Sequence, residues 1–501
     1  MERGAASLRS GKAAGIVLIV DDAGAGADPR VDHRAAWAGL GAALTALMGA
    51  LALLSPQFGY AHRVHDMPIF AAVAILVAAG ALYLALPRLI RATPAAAGNG
   101  SPLLIFVATG GLLMRLVLLP STAVLEDDYQ RYLWDGAQTA HGLNPYATAP
   151  EAAKAADPDA SALGRLARQS GVVLDRVNHP HLKTLYPPLA EAAFALAHWL
   201  APWSLSAWRL LCLACDAATF LLLLLLLREA GRPAAWAALY WWNPLAAKEV
   251  VNSAHMDVLL LPLILGALLL AVRARPFSAT ALLVAGAGVK LWPALLLPLI
   301  WRPLAARPFA LAPLLFASLA AAGLIAWPMV AGGLGPDSGL IAYARDWTTN
   351  SAFFPRFQAL IAALMDWAQI AAPSPAVAAR ALIGAVLAAL ALALACKPLE
   401  GPRDLVTRAA FLVAALILLM PAQFPWYYLW LMPFLPFAPL YGLLVLTLTL
   451  PLYYAAFHFV ARDTYGVYGD GLVWVVWLPA WVLLAAEGAP RLARPRPAAR
   501  S

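Results

Sequence analysis

The feature that most constrains this chain is a recurring apolar run. Stretches of roughly 17–25 residues, each long enough to cross a bilayer, follow one another along most of its 501 residues. The runs fall at 36–55, 68–87, 103–120, 207–227, 233–250, 256–272, 278–301, 308–331, 376–396, 406–420, 427–440, 442–457 and 471–487. They are continuous rather than alternating, which argues for helices and against a transmembrane barrel. The fold class is therefore an all-α polytopic membrane protein with about 11–14 transmembrane helices. Two shorter stretches, 187–200 and 356–371, carry charge and are expected to lie at the interface.

Lys and Arg orient the bundle. Arg88, Arg91, Arg228, Arg232, Arg273, Arg275, Lys397, Arg403, Arg408 and the tail arginines from Arg491 onward fall on one side. This holds if the run 278–301 breaks into two half-helices near Lys290, which also brings Arg302 and Arg307 to that side. Both termini are then cytoplasmic, with 1–34 and 491–501 as tails and 35–490 as one integral domain. The net charge of +8 is a membrane-topology signal and implies no nucleic acid. The long polar segment 121–184, and loops near 252–255, 332–354, 421–426 and 458–470, face away from the cytoplasm. Three cysteines exclude a disulfide framework, and Cys212-x-x-Cys215 sits in an apolar run where small buried residues are the simplest reading.

Only 12% of the residues are charged, so their positions are informative. "LEDDYQRYLWDG" puts Glu126, Asp127 and Asp128 at the outer end of the third run. A carboxylate there is ionised yet poorly solvated, which suits a general base. If a new helix starts at Asp127, the acids are also good N-terminal residues. Asp128, Arg131, Tyr132 and Asp135 share a helix face, so Arg131 either orients the base or is structural. "NHPHLKTLYPPLAE" carries His179, His181, Lys183 and Tyr186; Lys183 with a histidine could clamp an anionic headgroup, or Lys183 could snorkel. "WWNPLAAKEVVNSAHMDVLLL" places Lys248, Glu249, Asn252, His255 and Asp257 at the ends of two passes, with His255 and Asp257 the better candidates for substrate contact.

"AGAGVKLWPALLLP" holds a lone Lys290 between Gly288 and Pro293, a break suited to a phosphate or pyrophosphate. Trp426, Tyr427 and Tyr428 form either an interfacial belt or a sugar-stacking wall. Arg345, Asp346 and Asn350 offer hydrogen bonds to a hydroxyl-rich ligand. No Walker A or Gly-rich dinucleotide motif is present, so an activated donor has to reach the outer face by itself, as a lipid-linked one does.

In order from about 103 to 435, "LEDDYQRYLWDG…GLNPY…NHP…TLYPPLAEAAFAL…WNPLAAKEVVNSAHMD…GVKLWPALLLP…FPWYYLW" resembles the bacterial branch of the GT-C membrane glycosyltransferases. The polyprenol-phosphate-mannose-dependent mannosyltransferases, similar to glycosyltransferase family 87, are the nearest members. The two N-terminal runs precede the usual first catalytic span. The resemblance implies hexose transfer, mannose foremost, from a polyprenyl-phosphate donor to a glycan, glycolipid or protein acceptor, on the extracytoplasmic side of the bacterial inner membrane. It implies an outer catalytic loop at 121–206 with juxtamembrane helices, and an inverting step. The family's D-x-D-Y motif is matched by Glu126, Asp128 and Tyr129, with Glu in place of the first Asp. Asp128 is then the first candidate for the base, with Glu126 or Asp127 second. Lys290, Lys183, His255 and Arg131 are candidates for the donor phosphate. Tyr129, Asp135, His179, Tyr186, Asn252, Asp257, Asp346, Asn350, Trp426 and Tyr427 are candidates for substrate contact. No cofactor is required and no metal ligands are assigned, with a divalent ion left as an option. A lipid flippase or transporter and a non-catalytic envelope-polymer assembly subunit are the rival classes.

Overall fold

The computed structural model describes residues 33–493, so the expected N-terminal tail and most of the C-terminal one lie outside the described residues. Among these residues the chain is helical, and its one β feature is an isolated bridge between Thr349 and Ala422. Among the described residues, eight helices are long and apolar enough to span a membrane: His33–Phe58, Ile69–Ala92, Ser101–Leu118, Leu205–Glu229, Pro308–Gly332, Pro375–Cys396, Tyr441–Val460 and Val467–Gly488. The pair Pro244–Asn252 and Met256–Val272 is apolar enough to join them as one broken span, or to form a re-entrant loop, and is bent by 104°. The protein is an all-α polytopic membrane protein.

The 11–14 passes anticipated from sequence count apolar runs, and several runs are not straight helices. The run 278–301 is a hairpin: Pro276–Ala287 stops before Gly288, and Trp292–Leu296 and Leu297–Trp301 return against it. The anticipated break at Lys290 is therefore present. The run 427–440 is two short 3-10 turns, Pro425–Trp430 and Met432–Phe434, set by their prolines. The stretches 187–200 and 356–371 form Pro188–Leu200 and Phe354–Trp367, of 13 and 14 residues, too short to span.

The polar segment after the third span builds a cap at one end of the bundle. Its helices Asp128–Ala140 and Pro188–Leu200 lie side by side, and a Cβ on Gly136 would come within 2.5 Å of the Phe194 carbonyl oxygen. Only glycine permits that approach. Tyr132, Tyr186, Phe194 and Trp208 cluster beneath, with Tyr132 stacked on Phe194 at 4.7 Å. The start of Pro188–Leu200 docks on the hairpin: the Leu189 N–H donates to Gly288 O at 2.9 Å, two residues from Lys290. The cap thus fixes the acid-bearing helix relative to the broken span.

Candidate active site

Arg209 and Asn252 pin the segment that delivers the acids. Arg209 donates to the carbonyls of Leu119 and Ser121 at 3.0 and 2.7 Å. The Asn252 amide donates to Ser121 Oγ and Thr122 O, both at 2.7 Å, and accepts from the Val124 N–H at 3.0 Å. Asp127 then occupies the N-cap position, and the helix begins at Asp128. Glu126 Oε1 accepts from the backbone N–H groups of Asp127 and Asp128 at 3.2 and 3.3 Å. Glu126 thus meets the helix's orphan donors, where a negative charge also suits the macrodipole. The other two carboxylates share one side-chain donor: Asn178 Nδ2 reaches Asp127 Oδ1 at 3.0 Å and Asp128 Oδ1 at 2.7 Å.

Behind the acids lies a fully buried charged group. His255 Nε2 is 3.0 Å from Glu126 Oε2 and 3.5 Å from Glu249 Oε2, while Nδ1 is 4.0 Å from Asp128 Oδ2. Its ring stacks on Trp426 at 4.1 Å. The Tyr454 hydroxyl donates to Glu249 Oε1 and accepts from Lys248 Nζ, each at 2.5 Å. Lys248 and Glu249 pair at 3.3 Å within a π-helical turn, Lys248–Asn252, a distortion frequent at functional sites.

On the other side is Lys290. Its ammonium sits 2.6 Å from Asp257 Oδ1 and lies over the rings of Tyr427 and Trp430, at 4.0 and 4.7 Å. The Trp430 indole N–H donates to the same Asp257 oxygen at 2.7 Å. Acids and lysine face one cavity of about 490 Å³, a size suited to a small polar ligand. Tyr129, His179, Lys183, Tyr186, Asp257, Trp426 and Tyr427 also line it. Residues from three of the segments expected to share one face, 121–184, 332–354 and 421–426, line it together.

The three carboxylates titrate apart. Burial, then the charges of Asp128 and Glu126, push Asp127 up to about 7. Burial, then the Glu126 charge, push Asp128 up to about 6. Burial would also raise Glu126, but the charge and hydrogen bond of His255, with Lys248 beyond, hold it below the usual carboxylate range. The Asp128 side chain keeps 23% of its surface exposed against 5% for Glu126. Asp128 is thus the reachable acid that is mostly ionised near neutrality, and Glu126 is committed to capping and to His255.

Several sequence expectations change place. His255 is buried against the acids rather than beside Lys290, so it balances carboxylates. Asp257 is the counter-ion of Lys290. Arg131 does not pair with Asp128: its guanidinium donates to the carbonyls of Leu182, Asn178 and His179, which holds Asn178 in position. Lys183 is tied at the rim to Asp337 at 2.9 Å. Asn252 spends its side chain on the 121–124 segment. Asp135 is buried beneath the cap, where the Arg131 charge and Thr184 act on it. Asn350 bonds Gln423 O and Tyr468, away from the cavity. Asp346 is an exposed bidentate partner of Arg345. Sequence reading missed Asn178, although it opens the "NHP" motif, and Tyr343, whose hydroxyl meets that of Tyr427 at 2.8 Å.

Glu126, Asp128 and His255 bring ligand atoms within 4.8 Å of one another. Two carboxylates and an imidazole suit a divalent ion in chemistry. A metal taking Glu126 Oε2 or His255 Nε2 would displace the bond between them.

No curated protein and no solved structure matches the chain. A family model does, over residues 35–306, more than half of the length and including the acid cluster, His255 and Lys290. The match also takes in the two N-terminal spans, which are part of the family's domain rather than an addition to it. The chain belongs to the MptA_B family, described as alpha-(1->6)-mannopyranosyltransferase, N-terminal domain.

Proposed function

We propose that the protein transfers mannose from a polyprenyl-phosphate-linked donor to an acceptor hydroxyl in one inverting displacement, at the extracytoplasmic surface of the bacterial inner membrane. Asp128 accepts the hydroxyl proton as the acceptor oxygen bonds to the sugar C1. The bond between C1 and the phosphate oxygen breaks, and the polyprenyl phosphate leaves toward Lys290. Asp257 and Trp430 hold that ammonium in place, and the rings of Tyr427 and Trp430 favour the cation. Asn178 orients the base, while Glu126 and His255 anchor the start of its helix.

The observation that carries this reading is a single cavity with an accessible carboxylate on one wall and a caged ammonium on another. Proton removal and leaving-group charge thus have separate partners, both pre-placed on the walls of one cavity. The distribution of Lys and Arg along the sequence supports an outward-facing site. The apolar core runs from Trp37 to Ala480, in keeping with one integral unit over 35–490. The family description carries an α-linked product. A single inverting displacement to an α-mannoside requires the donor's sugar phosphate to be β-linked.

The test is transfer by the purified enzyme from β-mannosyl phosphoryl polyprenol, with the product anomer read by NMR. An α-mannoside is expected, with no transfer from GDP-mannose. Transfer from GDP-mannose alone, or a β-product, contradicts the reading.

A further inference from the structure

A second cavity, of about 390 Å³, shares no lining residue with the first. Leu390 and Leu394 of Pro375–Cys396 line it, with Phe411, Ala415 and Leu418 of Pro402–Leu419; all five are half-buried. Leu443 and Leu484, from the last two spans, complete it. Those spans pack closely: a Cβ on Gly442 would come within 2.5 Å of Leu484 Cγ. Arg408, Phe411, Ala415 and Leu418 follow one another at three- and four-residue spacing, which puts them on one helix face. The small Ala415 leaves room between its larger neighbours. From Arg408 to Leu418 the stripe rises about 15 Å, half of a hydrocarbon core about 30 Å thick.

The polar end of this groove lies far from the acids. Arg380, in the second turn of Pro375–Cys396, donates to Trp347 O at 3.0 Å, and Trp347 lines the acid cavity. Lys397 follows the other end of that helix, about 25 Å further along. Lys397, Asp404 and Arg408 all border the groove there. Arg408 meets both Asp404 oxygens, at 2.9 and 2.6 Å, and donates to the carbonyls of Leu394, Lys397 and Pro398 at 2.7, 2.8 and 2.6 Å. Its charge is balanced and its guanidinium committed. Glu487, on the neighbouring span, accepts from the Tyr441 and Gly442 N–H groups at 2.7 and 3.1 Å. Lys397 is left over: among the described residues no carboxylate lies within ion-pair distance of its ammonium.

We propose that this groove holds an acyl chain of an anionic glycerophospholipid, with Lys397 pairing the headgroup phosphate. An uncompensated ammonium at a helix end complements such a headgroup. The length selects the occupant as well. An acyl chain runs from its headgroup to the middle of the bilayer, as the apolar stripe does, whereas a partner helix or a polyprenyl chain would continue past it. The site stands apart from the transfer chemistry and does not depend on that reading.

The experiment places the full-length enzyme in phosphatidylcholine nanodiscs with a trace of phosphatidylglycerol that carries a photoactivatable group on its acyl chain. Labelled positions are read by peptide mass spectrometry. Wild type is expected to take label within 390–394 and 411–418. Lys397→Gln should lower it about fivefold, the scale of one cation at a lipid surface. Ala415→Trp, which fills the groove, should abolish it. Arg228→Gln removes an exposed cation from the last turn of Leu205–Glu229 and should leave it unchanged. Photoactivatable phosphatidylcholine should label the groove of wild type about fivefold less than phosphatidylglycerol, a comparison that needs no variant to fold. Equal labelling by the two headgroups, or by wild type and Lys397→Gln, overturns the proposal. Label displaced by polyprenyl phosphate and not by unlabelled phosphatidylglycerol overturns it too.

Discussion

Two of the ion pairs deep in this bundle are built to opposite ends. Arg115, in the third span, meets Asp216, in Leu205–Glu229, and both are fully buried. Their remaining capacity is spent locally: Arg115 donates to Gly111 O and Trp241 O and lies 3.8 Å from the Trp241 ring centre, and Tyr240 donates to Asp216 at 2.5 Å. Lys290 and Asp257 are arranged otherwise. Asp257 is 2% exposed, but Lys290 keeps 18% of its side chain exposed and, like Asp257, faces a cavity. An ammonium has three N–H donors, and for Lys290 the cage supplies one carboxylate and two rings. The difference separates a charge pair sealed between helices from one that opens on a cavity, where the proposed function needs a cation.

Substitutions at the acids and at the two pairs should break along that line. Asp128→Asn should lower transfer by about 10²–10⁴-fold, the range for loss of a general base, at unchanged melting temperature. Lys290→Met should lower kcat by about 10²–10³-fold; it leaves Asp257 with the Trp430 N–H and the cavity, so the stability loss should be smaller than at the sealed pair and the protein still folded. Asp216→Asn leaves Arg115 buried without its counter-charge, which costs about 3–5 kcal/mol, so yield and thermal stability should fall while the activity of the folded fraction persists. A folded, inactive Asp216→Asn, or an unfolded Lys290→Met, would reverse the contrast.

The pH profile sharpens it. Asp128 titrates near 6 and must be ionised to accept a proton, so transfer should rise as pH climbs through about 6–7. The hydrogen bonds from Asn178 favour the ionised forms of Asp127 and Asp128. Asn178→Ala removes them, both carboxylates move up, and the acid limb should shift to higher pH. A downward shift would place Asn178 outside the base's environment. The smallest effect belongs to Asp346→Asn: its pair with Arg345 is exposed on both sides, and such pairs contribute about 0–1 kcal/mol, so transfer should stay within about twofold.

Much of the fold and the heart of the site were legible because charge is scarce in this chain. Three adjacent acids after an apolar run, and one lysine between a glycine and a proline, each cost free energy that some partner must offset. The hairpin at Lys290 followed from the same reasoning joined to the arginine topology. What stayed illegible were residues whose meaning lies in a distant partner. Asn252 reads as a polar residue near the site, but its bonds go to Ser121, Thr122 and Val124, some 130 positions away, where it positions the acids' approach. Arg131 shares a helix face with Asp128, yet three carbonyls across the cap outcompete that carboxylate. His255 was read beside the phosphate, whereas the bend at 253–255 turns it onto Glu126.

The central claim is that a lipid-borne sugar binds beside Lys290 and waits on Asp128 for its acceptor to lose a proton. Equilibrium binding of labelled polyprenyl-phosphate-mannose to Asp128→Asn, followed by addition of acceptor, tests it in one vessel. The predicted result is donor bound as tightly as by wild type and left intact when acceptor arrives. Transfer by Asp128→Asn at the wild-type rate would contradict the account.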